Sequence, residues 1–554
     1  MNTPSPRLAR GGYAAVAGFI AVIWLAVLPA RPLFNPDEGR YAEIPREMLS
    51  GGDWVVPHLD GVAYIEKPPL QYWATALSLR LFGQNEFAAR LYTALCALGT
   101  LGVVWLLAES LWDAAVAWRA AASLASLLLF VAMGQLLTLD MSLTFYMTLA
   151  LAGFLLAQPR RGEGRPPQRA GATRRWMAVA WAATALGVLT KGLVAAAVPA
   201  AALVLYSLYA RDGSPWRRLH APVGLPLFLA ISVPWHWLAA QRLSDFLSFF
   251  FVHEHLARYL TPSADRQEPW WFFAAVFVVG SAPWTVPAIR VLLTGWRRSS
   301  PGSFDPRLFL WVWTVFVGVF FSLSDSKLIP YILPLMPTLA LLIAASPAER
   351  VRRDVARTAV LTLAVAAGLA AFCVWAPHHL APTARNGYFL KLAAPLRQIA
   401  LLLGLSGLLV MVQRERDITR AAVTLSAGWC LAALLLLRAA ALVAPLYSGV
   451  GLARSLGIVP PGIPVYSVAT YDQSLPFYSQ HTVKLVAYRG ELDYGLRREP
   501  TAEIPSVADF IGQWQDLTDG YAVMEISMLD DLKSRGVPLR EMSRTGNRVL
   551  VARR

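Results

Sequence analysis

Residues 13–30 read YAAVAGFIAVIWLAVLPA, eighteen consecutive positions without a charge. A helix needs about that length to cross a bilayer core. The run decides the fold class because the chain repeats it. Comparable apolar blocks lie near 88–110, 118–135, 140–157, 176–190, 193–210 and 222–240, then near 270–293, 308–324, 329–346, 358–376, 397–412 and 421–443. With 13–30 they make about thirteen spans by apolar length and flanking charge. Of the 554 residues 56% are hydrophobic and only 15% charged, against about 25% charged in an ordinary soluble protein. Arg7 and Arg10 before the first block imitate a secretory signal, but Pro29-Ala30-Arg31-Pro32 is a poor cleavage site, so a retained span is expected.

The net charge of +15 would suggest nucleic acid in a soluble protein. Here the basic residues crowd short loops. Arg160, Arg161, Arg165, Arg169, Arg174 and Arg175 fill one; Arg211, Arg217 and Arg218 fill the next but one. Arg297, Arg298 and Arg307 follow, then Arg350, Arg352, Arg353 and Arg357, then Arg414, Arg416 and Arg420. Counting spans puts all of these on one side, which the positive-inside rule makes cytoplasmic. Orientation therefore accounts for the charge, and no nucleic-acid partner is expected. An odd span count then places the tail outside.

The expected fold is an all-α polytopic membrane protein with a small extracytoplasmic α/β domain at its C-terminus. Residues 1–444 form the membrane domain and residues 445–554 the soluble one. In the tail, 463–468, 483–488 and 520–526 read as strands, while 506–517 and 529–534 read as amphipathic helices. Cys96, Cys373 and Cys430 fall inside apolar blocks, which disfavours disulfides and Cys-based metal sites.

The unusual polar residues gather in the outer segments 31–87 and 241–269. The first holds Asn35-Pro36-Asp37-Glu38-Gly39-Arg40-Tyr41 and Ile65-Glu66-Lys67-Pro68-Pro69-Leu70. Adjacent carboxylates such as Asp37 and Glu38 can bind a cation, orient an acceptor or act as a base. The plainer reading makes Asp37 a helix cap, with Glu38 in the first turn near the positive dipole end. Residues 44–49 could form a short interfacial helix. Pro68-Pro69 stiffens the backbone after Glu66 and Lys67, fixing where the pair points; Lys suits a phosphate and Glu a metal. Asp140 enters the fourth span at its outer end, where an unpaired carboxylate is costly and a partner is expected. His253 and Arg258 lie before the eighth span; Arg258 can take a phosphate bidentately. Asp325 and Lys327 occupy a short outer turn.

Asp37-Glu38-Gly39-Arg40-Tyr41-Ala42, Glu66-Lys67-Pro68-Pro69-Leu70-Gln71-Tyr72-Trp73, Asp140 and Ser324-Asp325-Ser326-Lys327-Leu328-Ile329-Pro330-Tyr331 together resemble the aminoarabinose transferases of lipid A. These are GT-C membrane glycosyltransferases, related to protein O-mannosyltransferases. The resemblance covers nearly the whole chain and is sharper for the family than for the sugar. It implies transfer of 4-amino-4-deoxy-L-arabinose from undecaprenyl phosphate to a lipid A phosphate, with inversion, at the periplasmic face of a bacterial inner membrane. That is the lipopolysaccharide modification behind polymyxin resistance. Carried over by motif, Asp37 is the principal catalytic carboxylate, with Glu38 beside it and Asp140 a second acidic residue. Lys67 and Arg258 hold the donor phosphate; Arg40, Tyr41, Tyr64, Lys327 and Tyr331 line the substrate pocket. Glu66 and His253 bind a divalent metal, expected to be zinc.

Two rivals remain open. Another polyprenyl-linked sugar or acceptor fits the same residues, since nothing in the sequence reads out the amino group. A transporter or flippase for a lipid-linked precursor is the rival from another class. It should carry repeats and ionisable sites near the bilayer midplane, whereas the candidates here lie at one edge.

Overall fold

The computed structural model describes residues 6–159, 170–257, 268–297, 304–380 and 383–553. Arg160, Arg161, Arg165, Arg169, Arg258 and Arg298 lie outside them. The chain is a multi-pass membrane protein. Among the described residues seven helices are long and apolar enough to cross a membrane: Gly11–Ala30, Glu86–Leu111, Leu139–Ala157, Ala221–Arg242, Ala348–His379, Asn386–Gln413 and Ile418–Leu446. Shorter apolar helices at Val194–Ala210, Thr285–Thr294, Pro306–Ser322 and Ile329–Ala344 coincide with other expected spans.

Two compact units divide the chain, and they interleave in sequence. The first comprises Met1–Val27, Thr93–His379 and Ala393–Leu437. Leu139–Ala157 runs through its interior, 83% buried, and packs on Ala170–Lys191. Three expected spans are broken helices here. One splits at Leu127 into Ala114–Ser126 and Leu128–Met133; another splits into Phe272–Gly280 and Thr285–Thr294 around Pro283. The third opens as the 3-10 turn Ile329–Leu335 and continues as Met336–Ala344. A broken helix exposes backbone groups that lipid cannot satisfy. The first two breaks satisfy each other: Leu128 N–H donates to the Ala282 carbonyl at 3.1 Å, and the buried Trp284 indole donates to Ser126 Oγ at 2.9 Å. Cys96, Cys373 and Cys430 are buried within helices.

The second unit comprises Leu28–Tyr92, Leu380–Leu392 and Arg438–Arg554. The sequence boundary expected at 444/445 therefore does not delimit it, because the first outer segment packs with the tail. That segment contains the helix Asp37–Gly51 and the strands β1 (His58–Leu59) and β2 (Val62–Ala63). The turn between the strands puts Asp60 at φ 57° and Gly61 at φ 82°, the left-handed pair that an Asp-Gly hairpin supplies. The short helix expected at 44–49 is only the latter part of Asp37–Gly51. Asp37 is also not the cap: Pro36 holds that position, without a side-chain hydrogen bond.

The tail adds β3 (Val465–Val468), β4 (Lys484–Val486), β5 (Glu503–Ile504), β6 (Tyr521–Glu525), β7 (Arg540–Thr545) and β8 (Arg548–Ala552). They form one sheet in the order β5-β4-β3-β6-β8-β7. The first four pair in parallel, while β6–β8 and β8–β7 are antiparallel. Helices Val507–Asp516 and Ile526–Ser534 bury Phe510, Trp514, Leu529 and Leu532 against Tyr466, Val468, Met524, Val549 and Val551.

Candidate active site

In the second unit the site grows from the start of the helix Asp37–Gly51. Successive helical residues point about 100° apart, so Asp37 and Glu38 face different surroundings. Asp37 keeps 43% of its side chain exposed and accepts a hydrogen bond from Arg40, one turn on. The Arg40 side chain is only 5% exposed, with Glu491 Oε1 3.8 Å away. Its guanidinium lies over the rings of Tyr41 and Tyr64, 5.0 and 5.9 Å from their centroids, where aromatic faces favour a cation. Arg40 Nε is buried and has no hydrogen-bond partner among the described residues.

Glu38 corrects the expectation of paired catalytic carboxylates. Its side chain is 3% exposed. Arg31 donates to it at 2.5 and 3.1 Å, Arg90 at 2.7 and 3.0 Å, and the Phe34 backbone N–H at 3.0 Å. Burial alone would push its pKa up; the two guanidinium groups more than offset that and hold it well below the usual carboxylate range. A carboxylate so occupied fastens the chain rather than meeting a substrate. Arg90 extends the grip to the carbonyls of Leu28, Arg31 and Pro32 at 2.7–2.8 Å.

The second motif of this unit follows the β1–β2 hairpin. Tyr64 is buried, which pushes its phenol pKa up and keeps it a donor; its hydroxyl donates a hydrogen bond to Glu66 Oε2 at 3.1 Å. Lys67 Nζ donates to the Glu66 carbonyl at 2.9 Å, and the helix Leu70–Phe82 begins directly after Pro68-Pro69. Asp37, Arg40, Tyr41, Tyr64 and Glu66 thus share one electrostatic neighbourhood around the Arg40 guanidinium.

In the first unit Asp140 stands in the first turn of Leu139–Ala157 and is buried. The partner that its burial demands is Lys191, whose Nζ donates to Asp140 Oδ1. The same ammonium lies 4.7 Å from the Tyr331 ring centroid. Lys191 was not among the sequence candidates. Its signal was available: a lone cation in the two-residue gap between the fifth and sixth spans, on the outer side by the same count that puts Asp140 there. Replacing Lys191 with Met should lower stability by about 2 kcal/mol, the scale of a charge-assisted hydrogen bond. A lowered thermal midpoint in detergent, partly restored by adding Asp140→Asn, is the expected result; an unchanged midpoint would show that the pair contributes nothing.

Lys327 is buried, next to a Ser326 hydroxyl that has no partner among the described residues. His253 sits in the π-helical segment Ser248–Ala257, its ring 60% exposed and stacked on Phe249, with Nδ1 3.6 Å from Glu254 Oε1. Imidazole and carboxylate are suitable zinc donors, but among the described residues no three His, Cys, Asp or Glu side chains are grouped closely enough to hold an ion. Arg258 lies outside the described residues.

Comparison with known proteins gives these arrangements a context. The family model described as "Aminoarabinose transferase C-terminal domain" matches residues 457–553, and that of dolichyl-phosphate-mannose-protein mannosyltransferase matches residues 14–250. The undecaprenyl phosphate-alpha-4-amino-4-deoxy-L-arabinose arabinosyl transferase of Aeromonas salmonicida is 36% identical over 335 residues, which are 60% of this chain and 59% of that protein. Its counterpart in Pectobacterium carotovorum is 36% identical over 367 residues, 63% of each. These alignments therefore span less than two thirds of those relatives' length. The crystal structure of ArnT from Cupriavidus metallidurans bound to undecaprenyl phosphate superposes with a TM-score of 0.90 and 31% identity, covering 99% of this chain and 98% of that one. The likeness thus extends from the first span through the last strand, and the chain belongs to the aminoarabinose transferase (ArnT) family.

Proposed function

We propose that this protein transfers 4-amino-4-deoxy-L-arabinose from undecaprenyl phosphate to a phosphate of lipid A, at the periplasmic face of the inner membrane. The observation that carries the reading is the Asp37–Arg40 pair at a helix start, in a chain that resembles throughout a protein crystallised with undecaprenyl phosphate. The arginine-rich loops support the orientation, with the second unit outside.

The chemistry is a direct displacement with inversion. The bond between the sugar C1 and the donor phosphate oxygen breaks as an acceptor phosphate oxygen bonds to C1. Undecaprenyl phosphate leaves as an anion and needs cations rather than a proton. Lys67 supplies one beside Glu66, and Arg258 is assigned a second by its position in the outer segment 241–269. An anionic acceptor scarcely needs a base, so Asp37 orients the acceptor or offsets positive charge developing at the sugar. Arg40 donates a hydrogen bond to that carboxylate from one turn along the helix. A divalent cation on Glu66 and His253 belongs to the same proposal; bound there, it would add positive charge near the donor phosphate.

Mass spectrometry of lipid A tests the reading in a transferase-deficient Gram-negative host that makes the polyprenyl-linked donor. The expected result is an aminoarabinose mass increment with the wild-type chain and none with Asp37→Ala. Folded wild-type protein that adds no such mass would overturn the choice of sugar and acceptor. Metal analysis of the purified chain against Glu66→Gln reads the cation separately.

A further inference from the structure

Residues 34–39 are gripped from two sides. On one, Glu38 is fastened by Arg31 and Arg90. On the other lies the turn at residues 472–474, which follows β3. Asn35 Nδ2 donates to Asp472 Oδ1 at 2.7 Å, and the Ser474 N–H returns a bond to Asn35 Oδ1 at 2.8 Å. Gly39 packs directly on the same turn: a Cβ there would meet the Gln473 carbonyl carbon at 2.5 Å. No residue larger than glycine fits that approach.

The turn itself depends on a buried charge. Asp472 is fully buried, and its Oδ1 also accepts the Ser474 hydroxyl at 2.8 Å. Its other oxygen accepts from Arg548, which reaches it from the start of β8, the antiparallel neighbour of β6. A carboxylate in such a place keeps its charge and rotamer only while its cation is present.

We propose that Arg548 is a positioning residue for the transfer reaction: it fixes Asp472, Asp472 fixes Asn35, and Asn35 sets the backbone from which Asp37 projects. The C-terminal domain thereby aims the reaction's carboxylate without touching substrate. This rests on Asp37 being that carboxylate. Asp37 is the half-exposed residue between two buried grips, so its direction is set by its neighbours' backbone. Geometric slippage of about 1 Å at a reacting group can cost about 100-fold in rate.

The test uses the full-length protein in detergent, with polyprenyl-linked aminoarabinose and lipid A. For Arg548→Met, kcat per folded molecule should fall about 100-fold, while the donor KM stays within about twofold. Arg548→Lys should recover most of the loss. Arg544→Ala, which removes an exposed side chain of β7, should behave as wild type. Hydrogen exchange of residues 34–39 should rise in Arg548→Met. Should that variant fail to fold, Asn35→Ala must reproduce the loss in kcat, since it opens the same clamp without stranding a charge. Wild-type kcat per folded molecule, or unchanged exchange at 34–39, overturns the inference. A wild-type chain that transfers nothing sinks the functional reading instead, and the exchange measurement still decides the clamp.

Discussion

Changing Asp37 to Asn should abolish most transfer, with a fall in kcat of at least about 100-fold, the usual scale for a positioned carboxylate in proton transfer or charge stabilisation. Folding should be nearly intact. Asp37 is half exposed at the surface end of a helix, so Asn gives up one charge–dipole interaction and one part-exposed ion pair with Arg40, each worth up to about 1 kcal/mol. The donor phosphate is assigned to Lys67 and Arg258, so affinity for undecaprenyl phosphate should change little. The measurement is kcat and donor KM on purified protein, with the thermal midpoint as folding control. Transfer at the wild-type rate by folded Asp37→Asn would remove Asp37 from the chemistry. A raised KM with unchanged kcat would move it from catalysis to binding.

Much of this architecture is legible in the sequence because apolar length is a local property. Every expected span meets helical structure, even those the structure breaks. The breaks were not legible. Pro283 marks one, but Leu127 carries no local signal, and the N–H of the next residue, Leu128, is answered by Ala282, more than a hundred residues away. In the tail, β3, β4 and β6 announce themselves by apolar runs. The edge strand β7 reads Arg-Glu-Met-Ser-Arg-Thr, mostly exposed, and it owes its place to pairing with β8. The interleaving of the units was hidden for the same reason: Asn35 and Asp60 look like ordinary loop residues until Ser474 and Val483 are seen bonded to them.

The candidate site divides along the same line. Its motifs were readable as residue types, and Arg40, Tyr41, Tyr64 and Glu66 do lie together. Partnerships were not readable. Asp140 demanded a cation, and parity could have named Lys191, but the lysine sits in a hinge that resembles a span boundary. Glu491, close to Arg40, comes from a segment with no motif at all.

Glu38 gives the sharpest test of what adjacency conceals. Glu38→Ala should destabilise the protein by about 3–5 kcal/mol, because it strands Arg31 and Arg90 as buried, uncompensated cations. Few single substitutions cost so much, and this one touches no reacting group. Glu38→Gln should be nearly as damaging: it keeps the shape but removes the charge, and turns an amide donor toward two guanidinium donors. The pH dependence follows from the sign of the shift. The folded-state pKa lies well below its unfolded value of about 4.3, so the contribution is fully present above that unfolded value. It is lost only as pH falls toward the folded pKa. From neutrality down to about pH 5, stability owed to Glu38 should therefore be flat, with a decline in stronger acid that the Ala variant lacks. Thermal unfolding of both proteins across that range is the measurement. An Ala variant as stable as wild type at neutral pH would mean that the two arginines find other anions or water. Glu38 would then be free to be reconsidered beside Asp37.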